Sequence, residues 1–87
     1  MHAVVVKVTI EEAEKAQEEL ENRVVPNVSR LPGLVAGYWT RSGDDGMSMI
    51  VFDSEDHARA VADRLPQMLP DLVTLKDVEV REVVANT

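Results

Sequence analysis

The sequence holds no cysteine, and only one each of tryptophan, tyrosine and phenylalanine. Without thiols there is no disulfide to staple a chain of 87 residues and no thiolate to hold a metal. At this size a single core is only marginally sufficient, so stability has to come from packing or from oligomerisation. Cations are scarce as well: nine Lys and Arg against sixteen Asp and Glu leave a net charge of -7. That argues against nucleic acid as a partner, because neutralising phosphates takes clustered Lys and Arg. No apolar run is longer than four residues, as in Ala3 to Val6, far too short to cross a bilayer, and no basic segment followed by a hydrophobic one opens the chain. The expectation is a cytoplasmic protein with no membrane partner, folded as one domain over residues 1–87.

Several site classes are missing too. His2 and His57 lie far apart, and the acids fall on surface helices, so no metal-ligand set can be read. Gly43 and Gly46 flank two aspartates, the wrong charge for a phosphate loop. No Ser-His-Asp or Cys-His spacing stands out. No cofactor is expected.

What the chain does have is strand and helix signal in a nearly symmetric order. His2 to Ile10 is β-branched; Val4, Val6, Val8 and Ile10 share one wholly apolar face, and Ala3, Val5, Lys7 and Thr9 the other. Thr9-x-x-Glu12 has the capping-box pattern, with Glu11, Glu12 and Glu14 suited to a helix start and Glu11 four residues before Lys15. Ala13, Ala16, Leu20, Val24, Val28 and Leu31 then form one helical stripe. Pro26 interrupts it and predicts a kink or a second short helix on the same surface, ended by Pro32-Gly33.

Leu34 to Arg41 reads as a second strand and Met47 to Phe52 as a third, joined by a loop over Ser42 to Gly46. Asp53 or Ser54 caps a second helix with the stripe Ala58, Val61, Ala62 and Leu65, closed by Pro66 and Pro70. Leu72 to Val84 is extended, with Val78, Val80 and Val84 on one face. The order β-α-β-β-α-β predicts a ferredoxin-like α+β fold: a four-stranded antiparallel sheet with two helices on one side.

The other side of such a sheet lies bare, and here it is not polar. Leu34, Ala36 and Tyr38 alternate with Val35, Gly37 and Trp39 in the second strand, and Met47, Met49 and Val51 with Ile50 and Phe52 in the third. An apolar sheet face of several hundred Å² is rare on a soluble monomer. A second copy of the chain, paired sheet to sheet by two-fold symmetry, is the simplest cover. The competing arrangement is a monomer with its C-terminal segment folded over the sheet.

The run Val25-Pro-Asn-Val-Ser-Arg-Leu-Pro-Gly-Leu-Val-Ala-Gly-Tyr-Trp-Thr-Arg, followed by Gly46-Met-Ser-Met-Ile-Val-Phe-Asp-Ser-Glu-Asp-His-Ala, resembles the dimeric α/β-barrel superfamily. Within that superfamily, it is similar to the antibiotic-biosynthesis-monooxygenase-like proteins. The shared features are a proline late in the first helix, Pro-Gly before strand two, and an aliphatic strand ending in Phe-x-Ser-Glu. The resemblance covers most of the chain, and it implies the fold and the back-to-back homodimer.

Four residues are candidates for a ligand pocket. Tyr38 and Trp39 point to opposite faces, so one meets the helices and the other the sheet-sheet side. The resemblance implies that whichever lines a cavity stacks on a planar ligand; the plainer alternative is that each fills core or interface. Arg41, ending strand two, is a candidate to hold an anion, or else it pairs with Asp44, Asp45 or a partner-chain acid. His57, in the first turn of the second helix, has the chemistry of a base, though no residue stands out to orient it, and a solvated helix start accounts for it as well. Two functions follow. One is a small homodimeric barrel protein binding an apolar or aromatic small molecule or serving an accessory role. The other, implied by the resemblance, is a cofactor-independent monooxygenase in which Trp39, Tyr38 and Arg41 position an aromatic substrate that itself activates oxygen. A haem-degrading variant would require an axial histidine, a role open to His57 by type alone. A pocket of about 300 Å³ or more would favour an enzyme, and a filled interior a non-enzymatic role.

Overall fold

The computed structural model describes residues 1–87. Strand β1 (His2–Ile10) leads to helix α1 (Ala13–Glu19), a π-helical turn (Leu20–Val24) and the single-turn helix α2 (Val25–Val28). Strands β2 (Leu34–Ser42) and β3 (Asp45–Phe52) form the hairpin, followed by helix α3 (Glu55–Met68) and strand β4 (Val73–Glu82). The four strands form one antiparallel sheet in the order β2-β3-β1-β4. This is the ferredoxin-like α+β arrangement expected from the order of elements.

The core lies between the sheet and the helices. Val4 and Val6 of β1, Ile50 and Phe52 of β3, Val28 of α2, and Ala58, Val61 and Leu65 of α3 are all buried. Val4 and Phe52 are fully enclosed. α3 packs directly on β1, β3 and β4, whereas α1, the π turn and α2 pack chiefly along one another. The first helical stretch therefore bridges over the sheet more than it presses on it.

Several local details depart from the periodicity. The hairpin loop is only Gly43-Asp44, because β2 runs on to Ser42 and β3 begins at Asp45. Gly43 takes a positive φ of 61°, which a tight two-residue turn needs at its first position. Thr9 stays in β1 and makes no capping box; Glu12 occupies the helix-start position with a left-handed φ of 48° and no side-chain cap. Lys15 pairs with Glu12 at 3.5 Å, not with Glu11.

The proline rules also play out differently at the two helices. The π turn feeds α2 with Pro26 in its first turn, where a missing amide costs least, and Val24, Val28 and Leu31 still meet the core. Pro66 does not close α3 but lies inside it; the helix runs to Met68 and ends at Leu69, in extended conformation before Pro70.

A bulge re-phases the start of β2. Leu34 pairs with Phe52 and Ala36 with Val51, leaving Val35 as the extra residue, half exposed. Leu34 consequently turns to the helix side with Phe52 and Trp39, away from Ala36 and Tyr38, with which simple alternation grouped it. The remaining face carries Ala36, Tyr38, Met47, Met49, Val51 and Val5, and Tyr38 is 65% exposed. No C-terminal segment covers it: β4 pairs edge-on with β1, the Val83 amide donates to the Met1 carbonyl, and Val84 stands beyond the strand in solvent.

Candidate functional site

The small residues Ala13 and Ala16 are what α1 turns toward the sheet, opposite Val8 and Ile10 of β1. Alanine side chains cannot reach across the gap that a bridging helix leaves, and an apolar cavity of about 140 Å³ results. Its walls are the sheet residues Val6, Val8, Trp39 and Ile50, with Leu20 and Val24 of the π turn above. Leu65, Met68 and Leu69 at the end of α3 complete them. The volume is close to that of an apolar cavity known to stay dry and admit one benzene ring, about 150 Å³. It falls below the ~300 Å³ at which pockets for larger ligands begin. A cleft of about 500 Å³ shares the walls Val24, Met68 and Leu69 and adds Arg23, Asn27, Gln67 and Asp71.

Trp39 reaches this cavity through a glycine. Its ring folds back over Gly37, two residues earlier on the same face of β2, so the indole lies flat along the sheet. On β3, Ser48 stands directly opposite Trp39 and Gly46 opposite Arg41. A side chain at Gly46 would collide with Val8 and Ile10, so the floor of the cavity closes tightly there.

The polar groups in the wall are few. The Gln17 amide donates to Glu21 at 2.9 Å; Thr40 borders the cavity, but its side chain shares the opposite sheet face with Tyr38 and Met47, where its hydroxyl donates to the Met47 carbonyl at 2.6 Å. Arg41 and Ser48 complete the polar side chains of the wall, and neither makes a side-chain hydrogen bond within the chain. Asp45, one of the acids near Arg41 in sequence, pairs instead with Lys76 at 3.3 Å.

Of the four residues singled out from the sequence, Trp39 and Arg41 line the cavity. Tyr38 lies on the opposite sheet face. His57 sits at the far end of the hairpin, against Gly33 at the start of β2. There it has a partner that spacing alone did not bring forward. His57 Nδ1 lies 2.7 Å from Asp53 Oδ1, and because a carboxylate only accepts, the Nδ1–H is the donor. The hydrogen bond from His57 holds the Asp53 carboxyl below the usual aspartate range. Ser54 caps α3, its hydroxyl accepting from the His57 amide at 3.2 Å. Gly33 adopts a φ of 78°, and a methyl there would run into both members of the pair. The readable signal was Asp53 four residues before His57 across a helix start. The cavity's alanines were visible in the helical stripe, but their meaning depended on how far the helix stands from the sheet.

No group of three His, Cys, Asp or Glu side chains converges to hold a metal, and no helix is long and apolar enough to cross a membrane.

No family model and no curated protein matches this sequence. Solved structures do share its shape. A variant of SnoaB, a cofactor-independent oxygenase from Streptomyces nogalater, superposes with a TM-score of 0.73 at 20% identity, over 98% of this chain and 94% of that one. MupZ from Pseudomonas fluorescens superposes with a TM-score of 0.65 at 16% identity, over 91% of this chain and 65% of that one. The chain shares the fold of these two structures. The resemblance carried by Pro26, Pro32-Gly33 and the Phe52-x-Ser54-Glu55 strand exit holds at the level of architecture.

Proposed function

We propose that this protein binds a small apolar or aromatic molecule between its sheet and its helices, and that it works as a homodimer joined through the bare sheet face. The observation that carries the ligand reading is the apolar cavity of about 140 Å³ walled by Trp39. Burying one ring there removes apolar surface from water at about 25 cal/mol per Å², enough for measurable binding by a single-ring compound. The adjoining cleft past Met68 and Leu69 is the way in. Trp39 is the sole tryptophan, so its fluorescence reports this site alone. Titration with toluene should shift or quench that emission saturably; an unresponsive Trp39 would sink the reading.

The dimer rests on the second face. Four strands about 4.8 Å apart and roughly eight residues long span on the order of 500 Å² in projection. A standard interface takes about 800 Å² of accessible surface per partner, and projecting side chains such as Tyr38 and Met49 make these comparable.

A second reading, cofactor-independent oxygenation of an aromatic compound, is favoured by the fold shared with SnoaB over nearly the whole of both chains. In that chemistry the substrate supplies the electrons: a phenol and O₂ give a quinone and water. Trp39 would hold the ring in a site kept free of bulk water. Oxygen uptake with phenol or hydroquinone tests it, set against the same protein carrying Ala16→Leu; uptake at the rate of buffer alone rejects it.

A further inference from the structure

An unsatisfied cation stands at the rim of the cavity. Five of the nine Lys and Arg side chains pair with a carboxylate: Lys15, Arg23, Arg59, Lys76 and Arg81. Arg41 is among those that do not, although acids outnumber bases sixteen to nine and Asp44 and Asp45 are close in sequence. It is the one unpaired cation that lines the cavity. Ser48 shares the helix-side face of the adjacent strand, one step diagonally from Arg41 across the β2–β3 register. Residues so related lie about 7–8 Å apart, somewhat less at Cβ, within reach of one small polar group held between a long side chain and a short one. With Gln17 and Thr40 already engaged, Arg41 and Ser48 are the donors left for a ligand.

We propose that the ligand is a small aromatic or short-chain apolar acid, its ring or chain in the cavity against Trp39 and its carboxylate at the rim, paired with Arg41 and hydrogen-bonded by Ser48. This rests on the ligand reading above and makes Arg41 the residue that sets specificity. A guanidinium presents a planar fork of N–H donors matched to a carboxylate. Being exposed, it stays solvated until the ligand arrives, so the site is stable empty. The charge of the whole molecule strengthens the inference: a net charge of -7 repels anions in general, so a preference for an acid has to come from a local cation.

Trp39 fluorescence distinguishes the possibilities when phenylacetate and its neutral counterpart phenylacetamide are titrated into the wild type, Arg41→Gln and Arg41→Lys. Circular dichroism confirms that each exposed substitution leaves the fold intact. Phenylacetate is expected to bind roughly fivefold or more tightly than the amide in the wild type. The preference should vanish in Arg41→Gln, chiefly because phenylacetate loses affinity, and persist in part in Arg41→Lys. Equal affinities in the wild type, or a preference that survives Arg41→Gln, overturn the role of Arg41 while leaving the cavity as an apolar site. If neither compound perturbs Trp39, the cavity is not a ligand site and the acid proposal falls with it.

Discussion

The indole of Trp39 lies over Gly37, its ring carbons 3.1 and 3.2 Å from where a side chain at that position would begin. The two residues share the helix-side face of β2, and the missing side chain is what lets the ring lie down along the sheet instead of standing up into the helices. Gly37→Val should lift the ring into the cavity. The expected result is a shifted emission maximum of Trp39 and lost ligand response, with stability reduced by about 1–3 kcal/mol as the core is overfilled. An unchanged spectrum would mean that the ring is held by something other than the space above Gly37.

Ala16 gives the complementary test from the other wall. It is buried, and it faces the cavity from α1. Ala16→Leu adds three carbons where space already exists, so the substitution should be neutral or stabilising by about 0.5–2 kcal/mol in chemical denaturation. It should also abolish binding of single-ring ligands. Strong destabilisation would show that α1 and the sheet leave no usable room.

These two residues mark what a sequence can and cannot disclose. The alternation of Val4, Val6 and Val8 and of Ile50 and Phe52 placed the core correctly, because a strand's period of two is fixed by its backbone. The proline near the end of the first helix and Pro32-Gly33 marked the breaks. The phase of Leu34 was not legible, since the bulge at Val35 depends on how β2 meets β3. Nor was the cavity, which is a difference between two surfaces. Trp39 and Arg41 were separated from Tyr38 and His57 only once register and chain direction were known. The helix start failed for another reason: Thr9 satisfied a capping pattern but was already committed to the β1 ladder, and Glu12 took the left-handed position instead.

The Asp53–His57 pair predicts a particular acid response. The hydrogen bond from His57 lowers the Asp53 carboxyl below its ordinary 3.8. A carboxylate depressed in the folded state contributes stability above its unfolded value and loses it as pH falls through its folded value. Wild type should therefore lose stability relative to Asp53→Asn as pH drops below about 3.8. Asp53 is exposed and His57 half-exposed, so the effect is small and needs the paired comparison. Parallel acid-unfolding curves for the two proteins, by circular dichroism in denaturant, would refute the pairing.

The sheet face provides the decisive test of assembly. Tyr38 and Met49 are register partners on β2 and β3, 65% and 45% exposed. On a folded monomer, Tyr38→Glu with Met49→Lys would change stability by no more than about 0.5 kcal/mol at each site, because neither residue supports the core. On a two-fold interface each substitution occurs twice and places charge where a partner's apolar side chains must dehydrate it. Light scattering across a concentration series should then give twice 9.6 kDa for the wild type and 9.6 kDa for the double variant. The wild type's melting temperature should also rise with concentration, as mass action requires of a dimer, and the variant's should not. A wild type that runs as a monomer throughout would overturn the sheet-to-sheet dimer. A double variant that remains dimeric would move the interface off this face and leave its exposed tyrosine and methionines for a different partner.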